Sequence, residues 1–195
     1  MNRKYSREYI IETGIGLFRT SGYHKTGIQE ILKACDIPKG SFYNYFSSKE
    51  AYAIACIRQY SREVLEYWQA IEHSDELNGE QKVNAAFKVL FDEYNEADFS
   101  RSCLLGNLSL EMGSLNEEIA SLIEESWNEW KESLRHMIQD AREEGSFSSK
   151  WSSAAITNFL FDVYYGILNR IKIEQNALPI KQFFTVYMPL MQQKD

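Results

Sequence analysis

The sequence predicts an all-α fold, on three observations. Only three prolines and ten glycines interrupt 195 residues, so long helices are favoured. Apolar residues recur every three to four positions, which is the spacing of one helix face. No segment alternates apolar and polar residues as a half-buried strand would. With 44% hydrophobic residues, the chain is long enough to bury a core as one larger domain or two small ones.

The first two helices are predicted from their apolar faces and their ends. The first helix stops near Ser21 and Gly22, where glycine suits a helix end. Thr26 and Gln29 have the spacing of a capping box, so a second, short helix is expected to begin there. The apolar positions are Tyr9, Ile10, Thr13, Leu17 and Phe18 in the first helix, and Ile28, Ile31 and Leu32 in the second.

A third helix of about two turns is predicted from Pro38 to Tyr45. Proline is acceptable in a first helical turn because its missing amide hydrogen would have no partner within the helix. Ser47 and Glu50 have the spacing of another capping box, which opens a longer helix to about Ile71.

The rest of the chain is predicted to be helices joined by short breaks. The polar segment 73–79 is the clearest loop. Helices are then expected at about 80–96, 102–113, 116–144, 151–176 and 180–192. The breaks fall at 97–98, 113–114, 145–146 and 178–179.

Composition excludes several classes of protein. The amino terminus lacks the apolar core of a signal peptide, and no apolar run approaches the ~18 residues that span a membrane, so a cytoplasmic protein without a membrane partner is expected. Cys35, Cys56 and Cys103 form neither a CxxC pair nor a cluster with the three histidines. Reduced thiols are therefore predicted, with no disulfide framework and no metal.

Enzymatic activity has no support in the motifs. Gly14 and Gly16 are a lone pair within a helix, and the sequence contains no HExxH and no nucleophile motif. We therefore expect neither an enzyme nor a cofactor.

Charge is unevenly distributed. The net charge is −7, which alone argues against a nucleic-acid partner. Residues 1–50, however, hold eight Lys or Arg against five Asp or Glu, a net charge of +3 that leaves −10 for the remainder. Because phosphate attraction is screened over roughly 8–10 Å, a basic end can bind DNA on an acidic protein.

Residues 24–50 have the pattern of a helix-turn-helix. Lys39, Gly40 and Ser41 place a cation and a hydroxyl beside a glycine, which lets the helix start approach DNA closely. Phe42 and Phe46 are spaced to insert into the core, which leaves Tyr43, Asn44 and Tyr45 for the groove. An ordinary helical hairpin, with a tyrosine in the core, remains the alternative from the pattern alone.

The run from Thr26 to Glu50 resembles the TetR-family signature over its full length. This resemblance implies a three-helix DNA-binding head at 1–50 and a helical ligand-sensing and dimerisation body at 51–195. It also implies a homodimeric repressor that leaves a double-stranded DNA operator when an inducer enters the body. Two-fold symmetry predicts a palindromic operator. The residues assigned to DNA are Thr26, Gly27, Lys39, Gly40, Ser41, Tyr43, Asn44, Tyr45 and Lys49.

Each of these assignments has a structural alternative. Thr26 and Lys49 are assigned to phosphate, and the alternative for Lys49 is that it merely caps its own helix. Cys35 departs from the family pattern, which often has glycine in the turn. If this position needs a positive φ, the cysteine is strained, and otherwise it is a small buried residue.

A second segment, 101–113, is similar to one in a TetR subgroup that includes repressors of electrophile, quinone and aldehyde response. In some members a cysteine at the place of Cys103 is the reactive sensor. Cys103 lies near a predicted helix start with Arg101 nearby, which favours thiolate. The alternative is that Cys103 is a small apolar anchor, the role we expect for Cys56.

The body sequence predicts dimerisation more clearly than a ligand. Its many aromatic residues suit either a core or a pocket, so the inducer stays unidentified. Two helices near the chain end carry surplus apolar surface, as an intermolecular four-helix bundle requires. The predicted stripe is Leu160, Val163, Tyr164, Ile167, Leu168 and Ile171, joined by Phe183, Phe184, Val186, Tyr187, Leu190 and Met191. Covering the body's own core is the alternative for both helices. A helical ligand-binding module or carrier without DNA activity is the rival function.

Overall fold

A computed structural model describes residues 6–96, 99–148 and 150–192. Helices account for the described secondary structure, with no strand in these ranges, which confirms the all-α prediction. In order they are α1 Arg7–Ser21, α2 Ile28–Cys35, α3 Lys39–Tyr43, α4 Lys49–Glu72, α5 Gly79–Glu96, α6 Leu104–Met112, α7 Glu117–Glu143, α8 Ser153–Glu174, α9 Leu178–Gln182, a π-helical segment Phe183–Tyr187, and α10 Met188–Gln192. Arg3, Lys4 and the predicted break at 97–98 lie outside the described residues. No described helix is both long and apolar enough to cross a membrane.

The chain forms two compact units. The first contains residues 1–63 and 101–126, and the second contains 64–100 and 127–195. The predicted division at residue 50 concerns DNA binding and regulation, and it stays a prediction. The first unit nevertheless adds α6 and its flanking residues to the amino-terminal helices.

In the first unit, α1 ends where the sequence predicts, and its start is set by a side-chain cap that was not predicted from the sequence. The Ser6 hydroxyl accepts from the Tyr9 amide at 3.1 Å and caps the helix. Gly22 ends it with a φ of 80°, in the region that favours glycine. Within the helix, a side chain at Gly14 would collide with the ring of Tyr52, so the glycine allows α4 to approach α1 closely.

Both predicted capping boxes are one residue out of register. The cap of α2 is Gly27, whose amide donates to the Glu30 carboxylate at 2.7 Å; Thr26 and Gln29 do not form the box. At α4 the cap is Ser48, whose hydroxyl accepts from the Ala51 amide at 3.1 Å. The helices begin within one residue of where they were expected. Ser48 supplies the same kind of hydroxyl cap as Ser47 would, whereas Gly27 has no side chain and only the Glu30 half of the box is formed.

The second unit has a core of large aromatic side chains. Trp68 and Trp130 are fully buried with ring centroids 6.1 Å apart, and the Trp68 indole donates to the Ala86 carbonyl at 3.1 Å. The end of α4 is bound to α7 through Glu72, whose carboxylate accepts from the Ser133 hydroxyl at 2.5 Å and lies 2.8 Å from His136 Nδ1. Most body aromatics are therefore core residues.

The predicted dimerisation stripe needs correction. Leu160, Tyr164 and Ile167, with Leu168 and Ile171, are buried inside the protomer. They cover the chain's own core because α8 packs against α5, where Tyr164 lies 5.3 Å from Phe91 between ring centroids, and against α9 and the π-helical segment. Two members of the predicted stripe, Val186 and Leu190, stay exposed near the chain end, as do Ile173 and Leu178 outside it. The single predicted last helix also contains five π-helical residues.

Candidate nucleic-acid interface

The turn between α2 and α3 is compact. Asp36 ends α2 in the left-handed conformation, with a φ of 52°, and its amide donates to the Lys33 carbonyl at 3.2 Å. The Ile37 amide donates to Leu32 at 3.1 Å. Because Asp36 supplies the positive φ, Cys35 remains helical. It is the small buried residue of the two alternatives.

Buried phenylalanines hold the short helix α3 in place. Phe42 is 0% exposed and Phe46 is 3% exposed, which confirms that both lie in the core. Their ring centroids lie 5.2 and 4.9 Å from that of Tyr52, whose hydroxyl donates to the Ile10 carbonyl at 2.5 Å. Five residues of helix could not hold their position by propensity alone, so this cluster fixes α3 against α1 and α4.

The other side of α3 is polar and open to solvent. Tyr43 is 45% exposed and Tyr45 is 43% exposed, so neither is a core aromatic. Lys39 and Asn44 are exposed as well, and Ser41 is half-buried. The Lys39 ammonium lies 5.8 Å from the Tyr43 ring centroid. A side chain at Gly40 would meet no atom within 4 Å, so packing within the described residues does not require glycine there.

Thr26 and Lys49 face inward instead. Thr26 is 1% exposed, and its hydroxyl donates to the Gly22 carbonyl at 2.7 Å. The Lys49 ammonium donates to the Tyr23 carbonyl at 2.8 Å and lies 3.9 Å from the Tyr23 ring centroid. Burial lowers the pKa of Lys49, opposed by nearby carboxylates. Both residues hold the turn between α1 and α2, and Gly27 is half-buried at the start of α2.

Not all of the basic residues are available to DNA. Arg19 is 4% exposed, and its Nε donates to the Ser102 carbonyl at 2.8 Å. The exposed cations of the described head are Arg7, Lys25, Lys33 and Lys39. The basic surface is therefore smaller than the residue count indicates.

Cys103 is fully buried and is the cap residue of α6. Arg101, two residues away, is exposed. The other two thiols are buried within the first unit, and burial raises the pKa of both Cys35 and Cys56. Cys56 packs in the core as predicted.

Sequence reasoning missed the residues of α6 and its start that hold the end of α1. Ser102 and Asn107 bond to main-chain groups of α1, and Glu111 bonds to the turn after it. All three lie in the segment 101–113, which was singled out for its similarity to a TetR subgroup and for Cys103. Within α6 itself, Asn107 and Glu111 are spaced i and i+4 and therefore lie on one face of the helix, which was the available signal.

Comparison with known proteins identifies the family. A family model described as "Bacterial regulatory proteins, tetR family" matches residues 10–56. A second, "Tetracyclin repressor-like, C-terminal domain", matches residues 79–187, which is more than half of the chain. The chain belongs to the TetR family.

Similar proteins extend over nearly the whole chain. The transcriptional repressor DhaR of Mycobacterium sp. (strain GP1) is 26% identical over 95% of this chain and 92% of its own length. The repressor NemR of Escherichia coli K12 is 24% identical over 90% of this chain and 88% of its own. A TetR regulatory protein from Rhodobacter sphaeroides has a similar crystal structure, with a TM-score of 0.88, 25% identity, and coverage of 93% and 96%. The reduced form of E. coli NemR shares the fold at a TM-score of 0.85, 24% identity, and 96% coverage of both chains.

Family membership settles the class of function. The chain is a DNA-binding transcriptional regulator and not an enzyme, and its helix-turn-helix is the DNA-binding head. TetR-family regulators bind operator DNA and act as dimers. The rival function, a ligand carrier without DNA activity, is therefore wrong.

Proposed function

We propose that the exposed side of α3 reads a palindromic operator and that the protein is a repressor. The observation that carries the proposal is the division of α3 into a buried side, with Phe42, and an exposed side, with Tyr43. An anchored helix with exposed polar and aromatic groups suits entry into the major groove. Base-reading candidates are Tyr43, Asn44 and Tyr45. Lys39 and Ser41 suit phosphate, and Gly40 leaves room for it.

Thr26, Gly27 and Lys49 have a different role in this proposal. Their bonds within the turn support α2, so they position the interface instead of supplying most of its contacts. The cations Arg7, Lys25 and Lys33 add attraction to phosphate that does not depend on sequence. Residues 1–50 thus serve as the DNA-binding part, and 51–195 serve regulation and dimerisation.

Selection from a random DNA pool tests the proposal. The full-length dimer should enrich one sequence with two symmetric half-sites, spaced by about one helical turn or more. Reporter expression from a promoter that contains this sequence should fall when the protein is present. Enrichment of a single asymmetric site bound by monomer contradicts the palindrome, and increased reporter expression contradicts repression.

For the inducer, we infer an electrophile that reacts at Cys103. The similar protein NemR has a crystal structure described as its reduced form, and the proposal carries a redox-sensitive group over to this chain as the Cys103 thiol. Burial raises the pKa of the Cys35 and Cys56 thiols, so their reactive thiolate is suppressed. In the reaction, the Cys103 sulfur forms a bond to a ring carbon of a quinone, and the thiol proton passes to the reduced ring oxygen. Because Cys103 is completely buried, the adduct must displace its neighbours.

Mass spectrometry after brief quinone exposure tests this assignment. We expect Cys103 to be labelled, and we expect the rate of labelling to match the rate at which the operator is released. Cys103→Ser should bind the operator normally and ignore the quinone, whereas the matched variant Cys56→Ser should respond like the parent. Preferential labelling of Cys35 or Cys56, or release with Cys103 unmodified, rules the mechanism out and leaves Cys103 as a packing residue.

A further inference from the structure

The turn between α1 and α2 is bound by a carboxylate from outside the helix-turn-helix. Both oxygens of Glu111 are used: Oε1 accepts from the Tyr23 amide at 3.0 Å, and Oε2 accepts from the His24 amide at 2.8 Å. Glu111 lies on α6, 88 and 87 residues further along the chain but in the same compact unit. Bonds from two consecutive amides to one charged group fix the direction of the backbone.

The same turn determines where α2 begins. The Thr26 hydroxyl and amide donate to the carbonyls of Gly22 and Tyr23, at 2.7 and 3.2 Å. Lys49 also donates to the Tyr23 carbonyl. The turn therefore connects α1, the start of α2 and the start of α4. A shift of the turn would move α2, and with it the tightly linked α3.

The position of Glu111 is itself held by bonds between α6 and the end of α1. The Ser102 amide and hydroxyl both donate to the Arg19 carbonyl, at 3.1 and 3.0 Å. In return, Arg19 Nε donates to the Ser102 carbonyl. Asn107 Nδ2 donates to the Phe18 and Arg19 carbonyls, both at 3.2 Å. The Arg19 carbonyl lies in the last turn of α1, where helix carbonyls run out of partners within the helix, and the Phe18 carbonyl also accepts from the Gly22 amide at 3.1 Å.

We infer that Glu111 is a positioning residue for operator binding, acting through the amides of Tyr23 and His24. This inference rests on the proposed reading of DNA by α3. Electrostatics gives the opposite expectation: a carboxylate in the DNA-binding unit repels phosphate, so its removal alone would strengthen binding to any sequence. A loss of specific binding in its absence would therefore report lost geometry and not lost charge.

Alanine and glutamine variants of the full-length dimer test the inference against two DNA probes, the selected operator and a scrambled duplex. We expect Glu111→Ala to lower operator affinity by about tenfold or more, the effect of losing one or two charged hydrogen bonds. Affinity for the scrambled duplex should stay equal or rise. Glu111→Gln keeps one acceptor oxygen and should fall between Glu111→Ala and the parent. Glu118→Ala removes the same charge from an exposed position in the same unit and should match the parent within about twofold.

Hydrogen exchange supplies a readout that needs no DNA. The Tyr23 and His24 amides should be protected in the parent and exchange faster in Glu111→Ala, while the amides inside α1 keep their protection. The inference is overturned if Glu111→Ala binds the operator as tightly as Glu118→Ala does. It is also overturned if Glu111→Ala loses affinity equally for the operator and the scrambled duplex and has a lowered melting temperature. If Glu111→Ala does not fold, the same comparison is made with Glu111→Gln. A parent that selects no operator, while its two amides are protected, refutes the proposed reading by α3 and with it the inference.

Discussion

Of two neighbouring substitutions in α3, one should mainly lower stability and the other should mainly weaken operator binding. Phe42 is fully buried, and its ring lies within 5.4 Å of those of Phe46, Tyr52 and Tyr43, centroid to centroid. Phe42→Ala should therefore lower the free energy of unfolding by about 3–5 kcal/mol, the usual cost of removing a core phenylalanine. That is a large part of the stability of a small domain.

Tyr43→Ala should leave the protein folded. The side chain is 45% exposed, and its chief contacts are one ring edge and the Lys39 ammonium, each contributing about 0.5–1 kcal/mol. We therefore expect a loss of about 1 kcal/mol in unfolding free energy. Its effect on operator binding should be larger, about 1–3 kcal/mol if the ring contacts a base.

Urea unfolding and operator titration by fluorescence anisotropy measure the two effects in the same samples. The expected result is a stable Tyr43→Ala with weakened operator binding, and a destabilised Phe42→Ala whose folded fraction binds near parental affinity. If Tyr43→Ala unfolded the head while its folded fraction kept full operator affinity, the assignment of the two sides of α3 would be refuted.

Four further predictions concern charge, two glycines and pH. Operator affinity should fall steeply as the salt concentration rises. Lys33→Ala should weaken binding to all sequences and make the slope of log affinity against log salt concentration shallower by about one. An unchanged slope would show that Lys33 does not contact the DNA. Gly22→Ala should cost about 1–3 kcal/mol of stability, because the positive φ is strained and the new methyl would meet the Glu111 carboxylate. Gly40→Ala should keep full stability and lose operator affinity instead; parental affinity would show that DNA does not approach it closely. Hydrogen bonds with its own amide, Ser48 and Tyr23 lower the pKa of the Glu50 carboxyl. The carboxylate therefore stabilises the folded state above the ordinary glutamate pKa of about 4.3, and this stabilisation is lost as the pH falls through the lower pKa of the folded state. Urea unfolding at several pH values should show the parent's advantage over Glu50→Gln disappearing in acid.

The sequence predicts the elements of this protein better than their registers. Helical spacing and end signals identified α1 to α8, because an apolar face must recur each turn wherever a helix is packed. The single helix expected at 180–192 is instead α9, the π-helical segment and α10. The caps were each one residue out, since Thr26 and Gly27, or Ser47 and Ser48, are all acceptable cap residues. The choice between them depends on the preceding turn. The Thr26 hydroxyl is not free to cap α2, because it donates to the Gly22 carbonyl within that turn.

The sequence did not show which surface covers each long apolar stripe, the chain's own core or a second protomer. Leu160 and Ile167 cover the second unit's own core, whereas Ile173 and Val186 remain exposed. A period of 3.6 identifies a face, but it does not identify what lies against it. The same limit applies to Arg19 and Lys49, whose charge indicated DNA and whose bonds are to main-chain carbonyls. Only the folded chain brings Ser102 to the end of α1 and Glu111 to the turn beyond it.

This arrangement connects the proposed sensor to the proposed interface by short covalent and hydrogen-bonded steps within one unit. Cys103 is completely buried and directly follows Ser102, so an adduct on its sulfur displaces backbone that bonds to Arg19. Three hydrogen bonds join Ser102 to Arg19. At about 1 kcal/mol each, their loss is worth about 3 kcal/mol. A change of that size alters an equilibrium between two arrangements by about 150-fold, enough to release most operator at moderate occupancy. If Cys103 is the sensor, as proposed, release would need no large ligand cavity, because close packing around the thiol would turn the adduct into a shift of this bonded backbone.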